Sequence, residues 1–391
     1  MFENKILYSN NTTPTANRIA ISVFFFISGF NFAAWSSQIP RIQKQLQLND
    51  AELGSVLTAL PTGLMITMPL AGIVLSKVRS RNVMLYSSLV YTVLLCLLGM
   101  VESVWQIVVI LFLFGASRNF FNISVNTQSV AAQALYKKSI LTSFHGIWSL
   151  AALFGAGVSF IFISLHFSIL LHFCIMAFIS LILIAIFYRN TLDDTDIKNN
   201  TSFAFRLPDK SLLQLGCIGF IVMVCEGTMS DWSSIYFSKV VQLPDTKITI
   251  GYIAYLSAMV LGRFLGDWLV TTFGEKKIIQ LSSILIAFGF VLSVIFPFVI
   301  TASIGFIAVG FGVSCIMPLI YSITRKISNL PTGVAIASIG TISYLGFLIG
   351  PTIVGYIAQL FNLQWSFVLV ALVAFCIYLI IFRLPIKLVK Q

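Results

Sequence analysis

Arg118, Asn122 and Asn126 stand at i, i+4 and i+8 in Gly115–Ser129, and the flanking stretches 104–114 and 130–135 carry no charge. On a helix these three form one slowly drifting stripe of a permanent cation and two amides. Such a stripe is equipped to bind: the guanidinium favours an anionic or hydroxyl-rich group, and the amides donate and accept. A guanidinium inside a long apolar segment costs about 2.5–3.5 kcal/mol even on a mild insertion scale, so it must face protein or a water-filled cavity. One reading is a structural arginine held by neighbouring carbonyls. The other is the wall of a central polar binding site, which the recurrence of polar clusters on other segments favours.

Those clusters are few. Asn31, Trp35 and Gln38 lie at i, i+4 and i+7, one face of one helix, where they either touch a solute or bridge to neighbouring helices. His145 and Trp148 share another segment; histidine ordinarily titrates near neutrality, with hydrogen-bonded packing as the alternative. Trp35, Trp148 and Trp232 offer flat faces for a sugar or aromatic ring. Glu226 and Asp231, five residues apart, lie about 140° round a helix and cannot face one site squarely. An acid at that depth is a candidate proton carrier. The expectation is that Glu226 carries a coupling proton and competes with substrate for Arg118, against the alternative of a permanent Glu226–Arg118 pair. Asp231 is grouped with it, and Asp231 with Trp232 also suits an outer gate. His172 has no polar neighbours in its own segment and reads as packing. Arg263 and Asp267, at i and i+4, suit a salt bridge at an inner gate. Gly155 with Gly157, and Gly340, Gly346, Gly350-Pro351 and Gly355, permit close packing and bending. No phosphate loop, zinc helix, nucleophile elbow or CxxC occurs, and the six cysteines are scattered singly, so neither enzyme chemistry, a metal nor a cofactor is expected.

The elements that must position these residues follow from composition. Hydrophobic residues make up 58% of the 391 and charged ones 9%, which excludes an ordinary soluble domain and indicates a polytopic membrane protein. Twelve apolar spans are expected at 18–40, 52–76, 82–101, 104–134, 140–165, 167–188, 211–238, 248–273, 276–297, 299–324, 332–361 and 365–385. Met1–Asn17 lacks the pattern of a cleavable signal. With the N-terminus cytoplasmic, eighteen cations fall inside: Lys5, Arg18, Lys77, Arg79, Arg81, Lys137, Lys138, Arg189, Lys198, Arg206, Lys210, Lys276, Lys277, Arg325, Lys326, Arg383, Lys387 and Lys390. Only Arg41, Lys44, Lys239 and Lys247 fall outside. The net charge of +11 is therefore a topology signal, placing both termini in the cytoplasm, with no call for nucleic acid.

The polar connection Arg189–Lys210 divides the chain into a six-span half over 1–188, a cytoplasmic linker over 189–210, and a second half over 211–391. The halves echo one another. Ala34-Trp-Ser-Ser37 matches Asp231-Trp-Ser-Ser234 at an offset of 197, and Gly146…Ser149 matches Gly340…Ser343 at an offset of 194. Agreement of offset and span argues for a parallel tandem repeat with a substrate site between halves.

Twelve spans in a 6+6 repeat with a polar linker resemble the major facilitator superfamily. Within it, Leu141-Thr-Ser-Phe-His-Gly-Ile-Trp-Ser-Leu150, Asn122-Ile-Ser-Val-Asn-Thr-Gln128 and Glu226-Gly-Thr-Met-Ser-Asp-Trp-Ser-Ser234 resemble the bacterial group related to the inner-membrane protein YbjJ. The resemblance implies an all-α fold of two pseudo-twofold six-helix halves that moves a small solute by alternating access, usually on an ion gradient. It implies gating contacts at the loop signature, kept here as Gly72, Lys77 and Arg81, with Ser76 and Arg79 where an Asp and a Gly are usual. The second-half counterpart is better preserved in Gly262, Arg263, Gly266 and Asp267. Asn122 stands where the group often has Asp, which weakens that helix as a proton carrier.

Together these point to a secondary transporter in the bacterial inner membrane for a small polar or anionic solute, coupled to protons or sodium and working as a monomer in the lipid bilayer. Proton-driven export of amphipathic compounds is the alternative, and a non-transporting nutrient sensor is a third reading.

Overall fold

The computed structural model describes residues 13–136, 140–193, 210–327 and 332–383. The linker therefore lies mostly outside the described residues, as do Lys5, Lys137, Lys138, Lys198, Arg206, Lys387 and Lys390, and the side chains of Lys210, Asp267, Arg325 and Lys326. Among the described residues every long element is an α-helix: α1 Pro14–Gln45, α2 Asp50–Leu57, α3 Ala59–Lys77, α4 Ser80–Leu98, α5 Val104–Gln133, α6 Leu141–Ser164 and α7 Ile169–Phe187. There follow α8 Lys210–Lys239, α9 Ile250–Phe273, α10 Glu275–Ile295, α11 Val299–Ile327, α12 Thr332–Leu360 and α13 Leu363–Arg383. Counting α2 with α3, twelve of these are long and apolar enough to cross a membrane. Helices satisfy their own backbone, which the hydrocarbon core cannot do for them.

Two boundaries differ from the expectation. Helix α1 runs to Gln45, through Pro40, so its last turns extend beyond the apolar stretch. The second span is two helices, interrupted at Thr58. Pro61 explains the interruption, because it has no N–H to donate to the Leu57 carbonyl and its ring crowds that turn.

The chain forms two compact units, one of Met1–Arg41 with Ala59–Thr201 and one of Ile42–Thr58 with Ser202–Gln391. Unit 1 is cored by aromatic packing: Tyr91 stacks on Phe114 at 4.3 Å, and Phe24 meets Phe121 edge-on at 6.1 Å. In unit 2, Tyr236 stacks on Phe367 at 4.5 Å with Phe306 and Phe290 around them. Unit 2 takes in 42–58, which the sequence division leaves in the first half. Within it Lys44 pairs with Asp245 and Lys239 with Asp50, and the Asp50 N–H donates to Gln359 Oε1 at 3.2 Å. Gly54 sits so close to α12 that a Cβ there would meet the Pro351 carbonyl oxygen at 2.7 Å. Large apolar side chains such as Ile66, Trp105, Phe178, Phe264, Phe288 and Ile300 are exposed, as lipid-facing positions require.

Candidate functional site

In unit 1, α1 and α5 meet in a regular register, with Ser28 opposite Asn122 and Phe32 opposite Arg118. The Ser28 hydroxyl donates to Asn122 Oδ1 at 3.1 Å, and one turn on the Arg118 Cζ lies 3.8 Å from the Phe32 ring centroid. Each pair is spaced i, i+4, so one face of each helix supplies both contacts. Helix α6 closes the third side: Trp148 Nε1 donates to Ser28 Oγ at 3.3 Å, and its ring is tilted 33° to Phe32 at 6.2 Å. The backbones of α1 and α6 approach closely because Gly29 has no side chain; a Cβ there would press into the Trp148 carbonyl. Tyr91 adds a hydrogen bond to the Ser28 carbonyl at 3.4 Å.

Arg118 is 9% exposed, and among the described residues its buried Nε has no hydrogen-bond partner. Arg79 pairs with Asp193, and among the described residues no salt bridge of this unit reaches Arg118. An aromatic face supplies part of the missing stabilisation, about 0.5–2 kcal/mol for a cation over a ring. Phe32 and Ser28 were not singled out from sequence. The available signal was their i, i+4 spacing, masked because neither residue type is unusual in a membrane helix.

The other polar residues of unit 1 divide by face. Asn126 Nδ2 folds back onto the Asn122 carbonyl at 2.7 Å. Asn31 donates to Thr92 Oγ1 at 3.4 Å and accepts from Ser180 Oγ at 2.9 Å, so both ends of its amide join α1 to α4 and α7. Gln38 Nε2 meets His172 Nδ1 at 3.0 Å, while its Oε1 accepts from Arg41 at 3.3 Å. Trp35 is 1% exposed. This face of α1 thus ties helices together, while the Ser28–Phe32 face carries the arginine. His172 is the correction here: it is flanked by Gln38 and by Ser159 Oγ at 3.2 Å, partners on other helices that its own segment could not reveal. His145 is exposed, with Phe25 edge-on at 5.4 Å.

Unit 2 carries the acid. Glu226 on α8 is half-buried and lies within electrostatic reach of Tyr255 on α9 and Tyr321 on α11; Arg263 also reaches Tyr255. Tyr252 and Tyr255 are buried and stack at 6.3 Å. Asp231 is buried, and Trp232 beside it is wholly so; among the described residues its indole N–H has no partner, and neither do the hydroxyls of Ser233 and Ser234.

The two signature loops are built differently. After α3, the loop and the start of α4 grip the segment that follows α7. Arg79 pairs with both carboxylate oxygens of Asp193 at 3.1 and 3.2 Å. Arg81 covers the Tyr188 ring at 4.6 Å and donates to the Tyr188 and Arg189 carbonyls. From α5, Gln128 accepts the Leu192 N–H at 2.9 Å and donates to the Leu192 carbonyl at 2.9 Å and to Ser80 Oγ at 2.8 Å. Asn17 on α1 donates to the Asn190 carbonyl at 2.8 Å. In the second loop, Gly262 and Gly266 pack against α11, where Cys315 Sγ donates to the Gly262 carbonyl at 3.3 Å. The Asp267 side chain lies outside the described residues. Gly274, at φ +81°, turns the chain into α10, where Glu275 accepts from Ser322 Oγ at 2.6 Å.

The sequence profile of the Major Facilitator Superfamily matches residues 21–330 and again 217–390. An uncharacterised MFS-type transporter of Yersinia pestis is 30% identical over 91% of this chain and 93% of its own length. The membrane protein MosC of Rhizobium meliloti is 27% identical over 87% of this chain and 83% of its own. Among solved structures, a mutant of the nucleoside transporter NupG superposes with a TM-score of 0.80 at 13% identity, covering 94% of this chain and 100% of its own. A bacterial homologue of the human lysosomal transporter Spinster superposes with a TM-score of 0.77 at 12% identity, covering 95% and 97%.

Proposed function

The chain belongs to the major facilitator superfamily and is a multi-pass membrane transporter rather than an enzyme, and from that premise we propose that it moves a small polar or anionic solute by proton-coupled alternating access. The observation that carries the solute class is Arg118: a guanidinium within a membrane-spanning helix, stacked on Phe32 and, among the described residues, without a carboxylate of its own unit. Asn122, Asn126, Trp148 and His145 are assigned to the solute path with it. Asn31, Trp35, Gln38 and Trp232 are assigned to it through the helices they hold in place, since all four are buried.

Glu226 is assigned the coupling proton, because an acid within a span is costly unless protonation or a partner relieves its charge. Asp231, five residues further along α8, is assigned as a second acidic group. The loops around Gly72, Lys77 and Arg81, and around Gly262, Arg263, Gly266 and Asp267, are assigned to gating at the cytoplasmic face. Bacterial relatives support residence in a bacterial inner membrane, and the positive-inside bias supports cytoplasmic termini. We assign a monomer as the working unit.

The test is uptake and counterflow of a stabilising solute in proteoliposomes with an imposed proton gradient. Glu226→Gln abolishes gradient-driven uptake and spares counterflow if Glu226 carries the proton; loss of both returns it to a structural role. Broad, weak stabilisation by amphipathic compounds, unchanged in Arg118→Ala, would replace this reading by drug export.

A further inference from the structure

We infer that the Arg118–Phe32 pair is a seat for the carboxylate of a hydroxylated monocarboxylic acid, with Phe32 setting the preference for a flat, singly charged group. The inference rests on the transport reading above and narrows its solute.

The argument starts from the donors that are left. A guanidinium is a plane with its N–H groups in that plane. Phe32 covers one face at 3.8 Å, and Nε is buried without a partner. Among the described residues no hydrogen bond takes up the terminal nitrogens, and unlike Nε they are not fully buried. An arginine stacked in this way presents its terminal N–H groups side by side in one plane. Two coplanar oxygens match that edge, which is the geometry of a bidentate carboxylate.

Charge selects further. Arg118 is the one Lys or Arg in the middle of a span of the first half, and the adjoining polar residues on α1, α5 and α6 (Ser28, Asn122 and Trp148) are neutral. One fixed positive charge neutralises one negative charge. A phosphate monoester, at close to two, would bring a second charge to be neutralised in a poorly solvated site.

Asn122 then selects the body of the molecule. Its Oδ1 is occupied by Ser28, which is itself held by Trp148, so the amide is fixed with Nδ2 as its remaining donor. That donor stands one helical turn, about 5.4 Å, from Arg118 along α5. It suits a hydroxyl or ether oxygen a few bonds from the carboxylate. The half-buried Trp148 ring supplies an apolar wall for the carbon skeleton.

The experiment uses the purified full-length protein with four acids (lactate, gluconate, glucuronate and quinate), neutral glucose, and glucose 6-phosphate. Stabilisation on heating is followed in the wild type, Phe32→Leu, Arg118→Lys and Asn122→Asp. The expected result is that at least one acid stabilises the wild type and glucose does so less. Arg118→Lys, which keeps the charge but loses the fork, removes the response to the acid. Phe32→Leu weakens the acid about tenfold. The isosteric Asn122→Asp, whose new charge repels the carboxylate, weakens the acid more than glucose and guards against reading misfolding as lost binding.

Stabilisation by none of the four acids overturns the inference. So does a glucose 6-phosphate response equal to or above the best acid, or an acid response unchanged in Arg118→Lys. Each of these leaves the transport reading intact. An acid that binds as expected but shows no counterflow in proteoliposomes overturns the transport reading and leaves the seat in place.

Discussion

The two halves of the molecule share a framework and differ in charge. In both, the Trp-Ser-Ser motif of the first helix is interior: Trp35 is 1% exposed and Trp232 is 0%. The polar chemistry set around that framework is opposite. Unit 1 places a cation on a phenylalanine ring beside a serine, an asparagine and an indole. Unit 2 places an acid within electrostatic reach of two tyrosines, Tyr255 and Tyr321. What recurs along the sequence is packing, and what distinguishes one half from the other is chemistry. A match between repeats therefore marks helix contacts more surely than it marks a binding site.

The same contrast holds at the loops. The first copy of the signature has Ser76 and Arg79 where an Asp and a Gly are usual. Arg79 and Arg81 instead hold the backbone and side chains of Tyr188–Asp193. With Gln128 and Asn17 they join the ends of α1, α3, α4, α5 and α7 into one block. The second copy keeps its glycines and uses them for close packing on α11.

The sharpest way to break the contrast is to remove the cation. Arg118→Ala abolishes stabilisation by an anionic solute in a thermal-shift assay, a loss of more than about a hundredfold in affinity for a charge-assisted bidentate contact. Retained affinity would make the arginine a packing residue and leave unit 1 without distinct chemistry. Next in size, Glu226→Gln eliminates gradient-driven uptake while counterflow persists, as measured in proteoliposomes.

The loop comparison carries smaller effects. Gln128→Leu strands the Leu192 N–H and carbonyl and lowers stability by about 2–4 kcal/mol. It is read as a lower melting temperature of the detergent-solubilised protein; an unchanged value would show that the other contacts, those of Arg79, Arg81 and Asn17, suffice to hold the segment after α7. The exposed Arg79–Asp193 pair contributes about 0.2–1 kcal/mol, so Arg79→Ala and Asp193→Ala shift melting slightly. The swapped double variant, Arg79→Asp with Asp193→Arg, recovers most of that shift if the pairing is direct. Smallest of all, Ser233→Ala leaves melting within about 0.5 kcal/mol of the wild type, because among the described residues its hydroxyl makes no bond that could be lost.

The candidate site was legible only in part. Arg118 and Asn122 stood out because a cation and an amide inside an apolar run are anomalous in themselves. Trp148 was found by type. Ser28 and Phe32 were not, since their importance lies in what they oppose on α5. Asn31 and Gln38 were prominent for the same reason as Arg118, and the fold uses them to tie α1 to α4 and α7. His172 shows the converse, a residue without polar neighbours in its own segment whose ring is held between two helices.

By itself the sequence determined the class of the protein, its twelve spans and the positive-inside bias of its loops. These follow from local quantities: the length of an apolar run against the thickness of a bilayer, and the placement of lysines and arginines between runs. The internal repeat was also visible, because duplicated helices keep the residues at their mutual contacts. Only the tertiary structure decided which face of α1 meets Arg118, where the second span breaks into two helices, and what Arg79 and Arg81 grip. Those outcomes depend on side chains brought together from distant parts of the chain, such as Phe32 with Arg118 and Gln128 with Leu192. Periodicity within one helix assigns a residue to a face; it carries no information about which helix that face meets.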